Sequence, residues 1–229
     1  MERFVAVHQY GHVALDDTMG DDLAIVNNAR VSFNDGSEVM DERNEGLIGF
    51  LMRNRHGTPF EAVTFRFDIK APLFVFREWH RHRAGHSYNE WSARYSVIEP
   101  EFYVPQRDYV RHQVGKPGAY TFERIEDDAV AEAVRSQVEI AQQAAYAQYD
   151  SMVSAGVAKE VARVVLPVGT YSRMKWTCNL RSLMHFLSLR NSAHAQREIR
   201  DYAIAVERFA LGVCPVAMKA FIDNERVAP

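Results

Sequence analysis

Between residues 62 and 70 apolar and polar side chains alternate, with Val63, Phe65, Phe67 and Ile69 on one side and Thr64, Arg66, Asp68 and Lys70 on the other. A period of two with one apolar face predicts a half-buried strand. Further along a helical period takes over. Val130, Val134, Val138, Ala141, Ala145, Tyr149 and Met152 recur every three or four residues, which predicts a long amphipathic helix over 121–154. Asp21-Asp22 sets acidic groups at the start of a helix reaching about Ser32. A turn follows at 34–37, then a second helix over 41–54. Residues 2–8 read as a short strand, and a helix runs from Leu73 to about Arg81 after Pro72. Residues 84–120 read as irregular with short strands, and Gly115-Lys116-Pro117-Gly118 as a surface loop. A short helix over 159–166 stops at Pro167. A strand over 171–178 and helices over 180–190, 195–212 and 216–224 complete the pattern. No repeat or linker interrupts it. The expectation is one α+β domain over 1–229, a small antiparallel or mixed sheet flanked by helices, with helices dominating the second half.

Composition narrows the functional classes. With 229 residues, 47% of them hydrophobic, the chain can bury a proper core. A net charge of −3 argues against coating nucleic acid through bulk positive charge. Yet 22 of the 27 basic residues are Arg. Arg presents a rigid fork of donors suited to phosphate and carboxylate, which Lys does not. A GC-rich genome accounts for the same bias. Cys178 and Cys214 form no metal or redox spacing, no apolar run is long enough to span a bilayer, and the first residues lack a signal-peptide stretch. A cytoplasmic protein is expected.

Phosphate loops, dinucleotide fingerprints and nucleophile elbows are missing from the sequence. Its richest segment is Arg77-Glu78-Trp79-His80-Arg81-His82-Arg83, followed by His86, Asn89, Glu90, Ser92 and Arg94. So many cations at a helix end repel one another unless an anion lies among them. Three readings compete: a solvated basic face, a metal site through His80, His82 and His86, and an anion-binding catalytic site. Neighbouring Arg side chains oppose the metal, and acidic ligands are thin. A second constellation lies over 180–190, where Leu180, Leu183, Met184, Leu187 and Leu189 supply core contacts. Arg181, His185 and Ser188 share one helical face, with Arg190 and His194 as a further i, i+4 pair. That stripe is either an exposed face or a second wall of the anion site. Cys178, inside an apolar strand, reads as buried rather than nucleophilic.

Arg81-His82-Arg83 with Ser87-Tyr88-Asn89-Glu90 and Ser92-Ala93-Arg94-Tyr95-Ser96 resembles the signature of flavin-dependent thymidylate synthases. Ala29–Phe33, His56–Glu61, Val161–Pro167 and Asn179–Leu183 through Arg190 and His194 resemble other segments of the same family in the right order. Two departures stand out. Eight residues, Ala84 to Trp91, separate Arg83 from Ser92 where the family has seven, and the extra one falls within Ala84-Gly85-His86. Glu78 stands where members often carry Gln, and an acid near a phosphate is repulsive unless paired, the expected partner being Arg77 or Arg81.

The resemblance implies that Thr58, Arg81, His82, Arg83, Glu90, Asn179, Arg181 and His185 contact FAD, with His56 and His194 beside the flavin ring. It implies a dUMP site of Glu78, Arg81, Glu90, Ser92, Arg94, Arg163 and Arg190, in which Ser92, Arg94 and Arg163 grip the phosphate. It also implies a homotetramer with shared active sites. The implied reaction methylates C5 of the uracil of dUMP, with methylenetetrahydrofolate as carbon donor and NADPH-reduced FAD as hydride source. Arg190 is the implied catalytic residue, stabilising negative charge on the N3–O4 side of the ring. No enzyme nucleophile and no metal is implied. The alternatives are a metal-dependent nucleotide hydrolase using His80, His82 and His86, and a nucleic-acid-binding module using the Arg-rich segment.

Overall fold

The computed structural model describes residues 3–229, so Glu2, at the edge of the strand expected over 2–8, lies outside the described residues. The chain runs β1 (Phe4–Val7), β2 (Gly11–Met19), α1 (Asp22–Ala29), α2 (Glu42–Arg53), β3 (Thr64–Pro72), α3 (Leu73–Trp79) and β4 (His86–Glu90). It continues through β5 (Arg111–Lys116), β6 (Ala119–Arg124), α4 (Asp128–Ser154), α5 (Lys159–Ala162), β7 (Tyr171–Asn179), α6 (Leu180–Arg190), α7 (Arg197–Val213) and α8 (Pro215–Asp223). The fold is α+β. A five-stranded sheet has the order β1-β2-β3-β7-β4, and β5 and β6 form a separate ribbon. The pairs β1–β2, β2–β3, β4–β7 and β5–β6 are antiparallel. Among the described residues no helix is long and apolar enough to cross a membrane.

The described chain divides into two compact units. The first comprises described residues 3–70, 75–90 and 173–229, and the second residues 71–74 and 91–172. The first owes its core to the strand alternation. Phe65, Phe67 and Ile69 of β3 are fully buried and meet the inward residues of β7, Phe67 stacking on Trp176 at 5.2 Å. Trp79, at the end of α3, stacks on Phe186 of α6 at 4.9 Å and meets Trp176 edge-on at 5.1 Å. This aromatic floor fixes where α3 ends and where α6 lies. Cys178 is buried beside it, and burial pushes its thiol pKa well up, as expected of an inert side chain. The start of α6 is set by Asn179, whose side chain accepts from Ser182 N at 2.8 Å. In the second unit α4 packs Tyr149 against Ile98 and Ala162, with the Tyr146 hydroxyl donating to Ile98 O at 2.9 Å.

Several expectations are corrected. The helix expected over 121–154 begins only at Asp128, capped by Asp127, because Ala119–Arg124 pair with β5 across the Pro117-Gly118 turn. Its apolar stripe is only partly covered: Tyr149 is buried, whereas Val130 is 46% exposed and the buried positions also include Ala131 and Gln142. No expectation covered β2, whose Val13 and Leu15 point inward before a bulge at Asp16 shifts the register. Leu189, expected in the core, is 63% exposed. Arg190 ends α6 with Asn191 as its cap, so His194 follows in a turn rather than one helical turn further along.

Candidate active site

In the first unit the end of α3, the turn after it and the end of α6 converge. Arg77, Glu78, His80, Arg81 and Arg190 line an open recess of about 690 Å³. Arg190 is its best-anchored cation. Its Nη1 pairs with the Glu78 carboxylate, its Nη2 donates to Glu78 O at 3.0 Å, and its Nε donates to His82 Nε2 at 2.9 Å. Three of the five guanidinium N–H bonds are thereby committed, and one remains on each terminal nitrogen. Glu78 is therefore paired, but with Arg190 and not with Arg77 or Arg81 as the sequence pattern had implied. Arg81 and Arg83 are exposed beside it.

His82 is buried, and Tyr88 of β4 donates its hydroxyl to His82 O at 2.7 Å, tying the strand to the turn. Burial, then the neighbouring Arg190, His86 and His185, lower the His82 pKa to about 4. Because Nε2 accepts from Arg190, the neutral ring carries its proton on Nδ1. His86 stacks on Trp176 at 5.7 Å, accepts from the indole N–H through Nδ1 at 3.0 Å, and is also lowered to about 4, by burial and then His185. A metal centred on His80, His82 and His86 would compete with these two hydrogen bonds for ring nitrogens. Gly85, in the turn before β4, has a φ of +72° and a contact with Ser182 that suit only glycine: an added Cβ would stand 2.1 Å from Ser182 Oγ.

A second cluster lies at the other end of α6. Arg181 donates from Nη1 to Glu61 at 2.7 Å and from Nε to Pro229 O at 3.0 Å, leaving three N–H bonds. It lies against Gly57, between the exposed His56 and Thr58. His185 follows on the same face, its pKa lowered by burial and Arg181. Nine residues of helix, roughly 14 Å, separate Arg181 from Arg190 along α6. Asn179 spends its side-chain oxygen on capping α6, while Glu90 closes β4 and His194 is exposed in its turn. Ser92, Arg94 and Arg163 belong to the second unit. There Arg94 Nε donates to Glu160 at 3.2 Å, Ser92 Oγ accepts from Arg94 N at 3.3 Å, and Arg163 opens an exposed 3₁₀ turn. Glu61, Gly57 and Trp176 were not expected as functional positions. Gly57 and Glu61 lie inside His56–Glu61, a segment already singled out, whereas Trp176 carried no such signal.

The neutral histidines make stability depend on pH. His8, His12, His82, His86 and His185 all have pKa values below the ordinary 6.5. The unfolded chain therefore binds more protons than the folded one between about 4 and 6.5. Stability rises with pH across that window and falls as acid is added. Urea unfolding at pH 7.5 and pH 5 should give a clearly lower unfolding free energy at pH 5. Equal values would contradict the lowered pKa values of these rings.

A family model described as thymidylate synthase complementing protein matches residues 14–216. Flavin-dependent thymidylate synthases from Thermosipho africanus and Streptomyces coelicolor are similar to the chain. The first is 41% identical, over 93% of this chain and 91% of the relative, and the second 48% identical, over 82% and 79%. Among solved structures, the UMP/dUMP methylase PolB from Streptomyces cacaoi bound with 5-Br UMP is 40% identical. It superposes with a TM-score of 0.88 over 98% of this chain and 99% of that one. The same enzyme bound with 5-Br dUMP gives 0.85 at 39% identity, over 98% of this chain and 100% of that one.

Proposed function

The chain belongs to the flavin-dependent thymidylate synthase family, and on that premise we propose that it converts dUMP to dTMP with FAD as its cofactor. Methylenetetrahydrofolate donates the carbon and NADPH is the reductant in this reading. The observation that carries it is the fixed guanidinium of Arg190, held on three sides with two N–H bonds to spare. Methylation at C5 requires negative charge to build on the N3–O4 side of the uracil, and a donor already locked in place stabilises that charge without reorganising. His82 stays neutral near pH 7 and orients Arg190 as an acceptor; Glu78 fixes it from the other side.

The residues fit a flavin dinucleotide. Arg181 offers three unspent N–H bonds beside the bare backbone of Gly57, and Arg81 and Arg83 stand exposed near the other end. With Thr58, Glu90, Asn179, His82 and His185 they are the side chains that would hold FAD, His56 and His194 flanking the ring. When bound, FAD supplies the hydride chemistry. The phosphate of dUMP is assigned to Ser92, Arg94 and Arg163 by family resemblance. Assembly as a homotetramer belongs to the same proposal, supported by the apolar Val130 and Ile140 left exposed on α4.

The test is a visible spectrum of the purified protein followed by anaerobic NADPH addition. Flavin bands that bleach faster with dUMP, and tritium release from C5-labelled dUMP, are expected. A colourless protein that takes up no added FAD would overturn the reading. The neighbour is described as a UMP/dUMP methylase, so UMP is assayed in parallel, and turnover of UMP would widen the substrate class.

A further inference from the structure

The polar stripe of α6 is not open along its length. Ser188 Oγ donates to Arg226 O at 2.6 Å and Arg181 Nε donates to Pro229 O at 3.0 Å. His185, between them, interacts with the backbone of Pro229. All three side chains of the stripe thus meet one segment, residues 224–229. That segment is not in its intrinsically preferred conformation. Glu225 and Arg226 both adopt left-handed backbone angles, φ +55° and +59°, which side-chain-bearing residues keep only when the surroundings hold them there.

What holds them is visible. Arg226 N donates to Phe221 O at 2.9 Å, and Asn224 Nδ2 donates to Val227 O at 3.1 Å. The Arg226 guanidinium makes a forked pair with Glu207 of α7, from Nη1 at 2.5 Å and Nη2 at 3.2 Å. Glu207 is only 7% exposed, and its other contact is Asn191 Nδ2 at 2.5 Å, the cap of α6 directly after Arg190. A buried carboxylate with both oxygens engaged is a rigid anchor, and loss of one partner strands the other.

We infer that the 224–229 segment, locked by the Glu207–Arg226 pair, is a positioning element that aims Arg181 at the flavin. This rests on the flavin role proposed above for Arg181. The backbone oxygen of Pro229 fixes Nε while Glu61 fixes Nη1, so the plane of the guanidinium, and with it the direction of each remaining N–H bond, is set. Arg226 itself touches none of the residues assigned to FAD by side chain, and acts through the segment it secures.

The experiment compares the wild type with Arg226→Ala, Arg226→Lys and Ser188→Ala by FAD titration, thermal melting and steady-state kinetics at saturating FAD. Arg226→Ala is expected to weaken FAD binding by about tenfold, the scale of one lost charge-assisted contact. Its kcat at saturating FAD should stay within about twofold, and Arg226→Lys should recover part of the affinity. Ser188→Ala, which removes a single hydroxyl, gives the same direction with a smaller effect and covers the case in which Arg226→Ala does not fold. Unchanged FAD affinity in the folded variants would overturn the inference. So would a kcat that stays low at saturating FAD together with a lowered Tm, because that pattern marks a general structural role. A wild type that binds no FAD would instead strike the functional reading itself, so the two failures are distinguishable.

Discussion

Replacing Arg190 with alanine is expected to lower kcat by about 10²–10³-fold, the range found when one preorganised donor to a developing anion is removed. The fold should survive. Arg190 is half-buried at the end of α6, and Glu78, the carboxylate it would abandon, is exposed enough to be solvated. His82 would lose its donor but remain neutral in its aromatic surroundings, edge-on to Phe186 at 5.0 Å. Arg190→Lys should recover little, because an ammonium cannot reach Glu78, His82 and a substrate oxygen at fixed angles together. Single-turnover kinetics with pre-reduced enzyme separate the methylation step from flavin reduction by NADPH. A variant that folds, binds dUMP and keeps most of the wild-type kcat would remove Arg190 from the chemistry. A lowered rate of flavin reduction alone would move its role to an earlier step.

What could be read along the chain was periodic or local. The alternation of Val63 to Lys70 specifies β3 and its buried face, and the spacing of Arg181, His185 and Ser188 puts them on one face of α6. β2 escaped because Ala14 is small, Asp16 sits in a bulge, and the alternation lapses half-way. The expected helix over 121–154 starts too early because residues 121–127 precede Val130, the first position of the helical spacing, and Tyr120 and Phe122 instead share a face of the ribbon. The site shows the same division. The Arg-His-Arg run announces an anion site, but Glu78 meets Arg190 across 112 residues and Arg181 meets Pro229 across 48. Pairings of that separation are set by how the aromatic floor seats α3 against α6, and no period along the chain encodes them. Hence Arg77 or Arg81, the cations near Glu78 in sequence, were the expected partners and Arg190 is the actual one.

Gly57→Ala isolates the other end of the site. Gly57 has φ −73° and ψ −30°, angles that alanine adopts without strain, so the backbone itself should not object. The side chain has no room. An added Cβ would stand 2.3 Å from Arg181 Nε, 2.7 Å from Cζ and 2.8 Å from Cδ. Arg181 is a long side chain, but it is pinned by Glu61 and by Pro229 O, so it must give up one or both bonds to move aside. The expected result is FAD affinity weakened by about 10–100-fold, equivalent to losing an interaction worth roughly 1.4–2.8 kcal/mol. Substrate chemistry at Arg190, at the far end of α6, should be spared, so kcat returns toward the wild-type value as FAD is added in excess. Fluorescence titration of FAD into the apo variant measures the first quantity and turnover against FAD concentration the second. An affinity within twofold of wild type would show that Arg181 can shift without cost to the flavin, and its assignment as a flavin contact would fall.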